Sequence, residues 1–266
     1  MRLLRTVAEM SEGLREPRAG GERIDLVPTM GAFHAGHIAL MRAARETCDV
    51  VVVNLFVNPA QFNAAEDLAH YPRAEATDAV TAEEAGADLL FAPSAEELYP
   101  DGFDTWVEPG KVATYLEGAA RPGHFRGVAT ICTKLFHVVV PARAYFGRKD
   151  AQQVAVVKQL VRDLALSIEI VACPTIRDPD GLALSSRNVF LSPAERSLAL
   201  ALPRALEAGL QAHRSGGDAV RAAREILDAE PGLRVDYVAE ADLDGPTLAA
   251  AVVVGSSRLI DNVPLS

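Results

Sequence analysis

Between Ile24 and Cys48 the chain passes from an apolar run into a proline, a glycine turn and two histidines three residues apart. A helix-like stretch from Ile38 to Cys48 follows. The linking segment reads Leu26-Val-Pro-Thr-Met-Gly-Ala-Phe-His-Ala-Gly-His37. This is the pattern of a strand, Ile24–Val27, delivering a Gly-containing loop to a helix N-terminus. Backbone N–H groups without intrahelical partners and the positive end of the helix dipole favour an anion there. Imidazoles at His34 and His37 add side-chain donors for phosphate oxygens. The segment therefore predicts a βα unit that holds a nucleotide's phosphates.

The same alternation continues along the chain. Thr6 to Glu16 reads as a helix, followed by a Pro/Gly loop through Gly21. Val50–Phe56 is a near-continuous apolar run, as in a strand covered on both faces. A helix over Ala74–Ala85 ends at Gly86, and Asp88–Ala92 is a short strand. Gly127–Val140 carries an apolar stripe at helical spacing and stops at Pro141. Ala144–Phe146 is a strand, Gln153–Leu164 a helix and Ile168–Ala172 a strand. Strands alternating with helices predict an α/β fold, a Rossmann-like doubly wound parallel sheet. After Ile176 come a polar stretch (Arg177–Asn188), two Ala-rich helices (Pro193–His213 and Asp218–Ala229) and strands at Val235–Glu240 and Ala251–Asp261. Two domains are expected: 1–176, and a smaller α+β domain, 177–266.

A net charge of −10 over 266 residues argues against broad attraction to nucleic acid or an anionic membrane. An acidic protein that holds nucleotide phosphates must concentrate its positive groups locally. Cys48, Cys132 and Cys173 are widely spaced in apolar runs, as buried free thiols in a reducing compartment would be. The first residues lack a secretory pattern and no apolar run is long enough to span a bilayer, so the cytoplasm is the expected address.

Several polar motifs fall just after the expected strands. His34 and His37 could alternatively begin a zinc site, but catalytic zinc needs three protein ligands and no His or Cys cluster completes one. Asn58-Pro-Ala-Gln61-Phe62 reads by itself as a turn. Asp78 could supply one carboxylate to a magnesium ion otherwise held by phosphates, or lie on a solvated helix face. Arg121-Pro-Gly-His124-Phe-Arg126-Gly127 is a basic run before an apolar helix, either a solvent-facing loop or an anion site. In Phe146-Gly147-Arg148-Lys149-Asp150, Gly147 permits close backbone approach and Lys149 neutralises phosphate charge, while Asp150 accepts from the nucleotide or caps the next helix. Asp180-Gly-Leu-Ala-Leu184-Ser185-Ser186-Arg187-Asn188 is a turn-rich loop, or a mobile one whose hydroxyls and guanidinium engage triphosphate.

His-x-Gly-His is the signature of the nucleotidyltransferase superfamily that includes class I aminoacyl-tRNA synthetases. The longer Pro-Thr-Met-Gly-x-x-His-x-Gly-His string resembles the pantoate–β-alanine ligase (pantothenate synthetase) family. Phe56-Val-Asn-Pro-x-Gln-Phe62, Tyr71-Pro-Arg73 and the Arg121, Lys149 and Ser185 motifs follow in family order. The chain departs at Ala151, where the family commonly has an aromatic residue, and at Leu184, where it often has Met.

The resemblance implies His37, as proton donor, with His34, Lys149 and Arg187 as the catalytic set. It assigns Met30, Gly31, His34, His37, Gly147, Lys149, Asp150, Ile176, Leu184, Ser185, Ser186 and Arg187 to ATP. Pro28, Thr29, Met30, Asn58, Gln61, Tyr71, Arg121, His124 and Gln153 fall to pantoate and β-alanine, and Asp78 to Mg2+. Gln61 would offer both donor and acceptor to pantoate, with Gln153 as the second amide. The implied reaction is ATP-dependent condensation of (R)-pantoate with β-alanine through a pantoyl adenylate, giving pantothenate, AMP and pyrophosphate, by a homodimer. A transferase making a nucleotide-activated product is the alternative, and the paired amides Gln61 and Gln153 argue instead for a small hydroxy acid. A silent paralogue would have lost phosphate-contacting residues, and the negative charge and small second domain disfavour a tRNA synthetase.

Overall fold

The structure, a computed structural model, describes residues 1–63 and 65–266, and the side chains of 65–67 lie outside the description. Two compact units form: Met1–Gly147 with Gln152–Cys173, and Arg148–Ala151 with Pro174–Ser266. The division after Cys173 falls three residues before the boundary read from the sequence, and Arg148–Ala151 groups with the second unit.

The first unit is built on six parallel strands: β1 (Arg2–Leu4), β2 (Ile24–Thr29), β3 (Val50–Leu55), β4 (Leu89–Phe91), β5 (Arg143–Gly147) and β6 (Glu169–Cys173). Their order is β1-β4-β3-β2-β5-β6. Successive side chains point to opposite faces, and both faces are covered. Leu26, Val52, Phe91 and Phe146 pack with Met10, Phe125, Leu135 and Val154. Val27, Val51, Val53 and Leu90 pack with Leu40, Met41, Ala44 and Ala82. From β2 the chain winds to β3 and β4 on one side and later to β5 and β6 on the other. The topological switch thus lies between the carboxyl ends of β2 and β5, where open α/β sheets bind ligands. Pro28 helps to part those ends. The β2–β5 ladder stops at Leu26↔Ala144, whereas β2–β3 pairing continues to Thr29↔Leu55, and Pro28 has no N–H to offer a neighbour.

The second unit pairs β7 (Leu233–Asp242), β8 (Pro246–Val254) and β9 (Ser257–Pro264) antiparallel. Helices Ala201–Arg214 and Ala219–Asp228 contribute Leu202, Leu206, Ala223 and Leu227 to one core with Leu248, Ala250 and Val252. A Rossmann-like parallel sheet with a smaller α+β unit is thus the architecture.

Several element readings change. Arg2–Leu4, unassigned from sequence, is the edge strand β1. The expected helix Thr6–Glu16 divides at Leu14 into Val7–Gly13 and Arg15–Gly20. The break leaves Pro17 in a first turn, where its missing N–H removes no helical hydrogen bond. The single helix expected over Pro193–His213 divides at Leu200. Ala251–Asp261 is no single strand: Gly255 (φ +57°) and Ser256 turn the chain between β8 and β9.

Candidate active site

At the carboxyl end of β2 the buried Thr29 hydroxyl donates to Asn54 O (2.6 Å), tying β2 to β3 as the loop begins. Gly31 (φ +90°) and Ala32 (φ +53°) then take left-handed conformations. A Cβ on Gly31 would lie 2.7 Å from Leu55 Cδ1 and 2.9 Å from Asp78 Oδ2, so a side chain is excluded on both counts. The turn points two successive N–H groups at one carboxylate: Ala32 N donates to Asp78 Oδ2 (2.9 Å) and Phe33 N to Oδ1 (2.8 Å). Asp78 is 3% exposed. It is therefore no solvated helix position; it clamps the loop.

His34 is the N-cap of helix Ala35–Arg45. Its Nδ1 accepts from Gly36 N (3.1 Å), while His37 Nδ1 accepts from His34 N (3.3 Å). Two histidines thereby form a reciprocal capping box. An Nδ1 that accepts carries no proton, so in each neutral ring the hydrogen resides on Nε2. The ring centroids stand 4.2 Å apart. Two N–H donors and a helix N-terminus thus sit within one turn of chain, suited to phosphate oxygens.

Asn58 caps the 3-10 turn Pro59–Gln61. The following helix, His124–Val139, starts three residues before the predicted Gly127, which places His124 in its first turn. A Cβ on Gly127 would fall on the Ala60 carbonyl and 2.7 Å from Gln61 N, so only glycine lets helix and turn touch. His124 Nδ1 donates to Gln61 O (2.9 Å), Arg121 Nη2 donates to the same oxygen (3.3 Å), and Arg121 Nη1 lies 3.3 Å from His124 Nε2. Gln61 Nε2 reaches Met30 Sδ at 3.0 Å and Oε1 accepts from Asn58 Nδ2 at 3.0 Å. Met30, Asn58, Gln61, Arg121 and His124 are thereby brought together. The resemblance gives Gln61 a donor and an acceptor for the acid; in the structure its oxygen accepts from Asn58 and its nitrogen reaches Met30. Tyr71 packs edge-on against Phe62 (5.7 Å).

Two adjacent glutamines divide their work. Gln152, not singled out from sequence, is buried; it donates to Val112 O and Tyr115 O and accepts from Glu117 N, bracing segment 112–117. Gln153 sits half-buried in the first turn of helix Ala151–Asp163. Gly147 ends β5.

In the second unit, Lys149 lies in a 3-10 turn, Arg148–Asp150, with Nζ 3.9 Å from Asp150 Oδ1. Asn262 on β9 donates to Arg148 O (2.9 Å) and Lys149 O (2.8 Å), fixing the backbone of this turn. Sequence carries no signal for that contact. The stretch read as a turn-rich loop has ordered contacts: Leu184 N donates to Ile176 O, Arg177 bridges Ala183, and Arg177 pairs with the buried Asp261 at 2.5 and 3.1 Å. Ser185 caps a 3-10 helix, Ser186–Phe190, by accepting from Arg187 N (3.3 Å). Its hydroxyl hydrogen can still be donated elsewhere. Ser186 and Arg187 follow, half-buried.

Asp78, the residue expected to meet magnesium, is engaged by the loop backbone. Both Asp78 oxygens accept backbone N–H groups, and among the described residues no three His, Cys, Asp or Glu side chains group as a metal site. The cysteines are unpaired, but Cys48 is only half-buried rather than buried, and burial pushes its thiol up to about 11. No helix among the described residues is long and apolar enough to cross a membrane.

Comparison with known proteins adds independent observations. Residues 2–264 match the model of the family described as pantoate-beta-alanine ligase. Pantothenate synthetase of Roseiflexus sp. (strain RS-1) is 50% identical over 280 residues, covering 100% of this chain and 99% of that protein. The crystal structure of pantothenate synthetase from Thermus thermophilus superposes with a TM-score of 0.94 at 46% identity, covering 100% of this chain and 99% of the other. Pantoate-beta-alanine ligase from Francisella tularensis, complexed with beta-gamma ATP and beta-alanine, gives 0.86 at 34%, covering 100% and 98%. The sequence motifs, the fold and these full-length matches agree: the chain belongs to the pantoate-beta-alanine ligase family.

Proposed function

We propose that this chain condenses pantoate with β-alanine at the expense of ATP, through a pantoyl adenylate. The reciprocal His34–His37 cap carries the site assignment, because it sets an Nε2–H donor on each ring beside a helix N-terminus. A carboxylate resists attack by an amine until its oxygen becomes part of a good leaving group. Transfer of the adenylyl group makes that change: a pantoate carboxylate oxygen bonds to the α-phosphorus as the bond to the pyrophosphate oxygen breaks. The β-alanine amine then attacks the acyl carbon, AMP leaves and the amine loses a proton.

No enzyme nucleophile is needed, so acceleration comes from orientation and charge stabilisation. His34 and His37 offset charge growing on the phosphate oxygens, and Lys149, Ser185, Ser186 and Arg187 are further donors suited to phosphate. Gln61, Arg121, His124 and Gln153 hold the acid. Magnesium enters as counter-ion of the ATP substrate, and no step requires a protein ligand for it. We further take the protein to act as a cytoplasmic homodimer, consistent with its free thiols. Incubation with ATP and pantoate should release pyrophosphate without β-alanine, and adding β-alanine should release AMP and sustain turnover. Pyrophosphate release that requires a nucleoside monophosphate acceptor instead of pantoate would refute the assignment.

A further inference from the structure

Asn58 is 1% exposed, and all four hydrogen-bonding positions of its amide are used. Two partners are main-chain groups of fixed polarity. The Gly127 carbonyl accepts from Nδ2 (3.2 Å), and the Ala60 N–H donates to Oδ1 (3.3 Å). They decide which end of the amide is oxygen and which is nitrogen. The second Nδ2 hydrogen then needs an acceptor, which is Gln61 Oε1 at 3.0 Å. The second Oδ1 lone pair needs a donor, which is the Tyr99 hydroxyl at 2.9 Å. With Oε1 turned toward Asn58, the Gln61 NH2 edge faces the Met30 side of the turn.

Tyr99 is itself well held. It follows helix Ala95–Leu98, stacks on Trp106 (21° between planes) and meets Phe103 edge-on at 5.0 Å. Burial pushes its phenol well above the ordinary range, so it remains a donor at every working pH.

We propose that Tyr99 is a positioning residue for the acid substrate: acting through Asn58, its hydroxyl holds Gln61 with the NH2 edge presented to the acid, so the site reads an oxygen acceptor and rejects a donor. Arg121 and His124, anchored on Gln61 O, are fixed by the same turn. The inference rests on the acid-activating function proposed above.

Tyr99→Phe keeps the ring packing and deletes the donor. Pyrophosphate release should then show the KM for pantoate raised about three- to tenfold, the scale of one buried hydrogen bond, with the KM for ATP little changed and the melting temperature lowered by only a few degrees. Discrimination against the neutral carboxamide of pantoate, measured as a competitive inhibitor, should relax. Asn58→Asp removes both Nδ2 donors, lets Gln61 turn its NH2 inward, and should weaken pantoate binding further. An unchanged pantoate KM in folded Tyr99→Phe, an equal rise for ATP, or unchanged pantoate affinity in Asn58→Asp would overturn the inference. Loss of pyrophosphate release in the unaltered enzyme would instead refute the function, leaving the two failures distinguishable.

Discussion

His34 has two jobs that substitution can separate. As N-cap it accepts from Gly36 N, and in the proposed function its imidazole offers Nε2–H to phosphate. Asparagine caps helices at least as well as most residues but cannot place a donor where Nε2 lies. His34→Asn should therefore leave stability within about 0.5 kcal/mol while lowering adenylate formation by at least about a hundredfold. Chemical denaturation and single-turnover pyrophosphate release check the two halves; equal loss in both would mean the ring matters only as a cap. Asp78 shows how a residue's role can be hidden from sequence. A carboxylate spaced among helical residues reads equally as a ligand or a solvated group. Its assignment as a clamp emerges only when Gly31 and Ala32 turn their following N–H groups toward it.

Among the elements, the contact of helix His124–Val139 with the Pro59–Gln61 turn fixes the residues proposed to hold the acid. Gly127→Ala would push a methyl group into the Ala60 carbonyl. It should destabilise the fold by about 1–3 kcal/mol, the usual range for overpacking, and raise the KM for pantoate more than that for ATP. A variant with wild-type stability and pantoate KM would show that the contact is loose. The long strands and helices of the parallel sheet were legible because their apolar runs and stripes are strong and bounded by Gly or Pro. β1 was not, because three residues carry no period and the strand exists only through pairing with β4. The β8–β9 turn was missed because Ala251–Asp261 was read as one apolar run, although Gly-Ser is a recognised two-residue hairpin link. Of the site, the motif residues were legible from their family order. Tyr99, Gln152 and Asn262 were not, since each acts on a partner at least 35 residues away in the chain.

For the whole molecule, burial raises the Cys48 thiol to about 11 and the Cys132 thiol to about 12, from an ordinary value of 9.0. Between those limits the unfolded chain releases protons that the folded chain keeps, so folding stability must fall as pH rises above 9. A urea midpoint measured at pH 8 and again near pH 10.5 should decrease; no change, or an increase, would contradict the burial of these thiols. The central claim is the proposed one, that His37 and Lys149 each act on ATP phosphates. Single-turnover pyrophosphate release from ATP and pantoate tests it most directly, comparing the unaltered enzyme with His37→Ala and Lys149→Ala. Each substitution should slow release by at least about a hundredfold, as expected for loss of a charge-stabilising donor. Release at a near-normal rate by either folded variant would contradict the account.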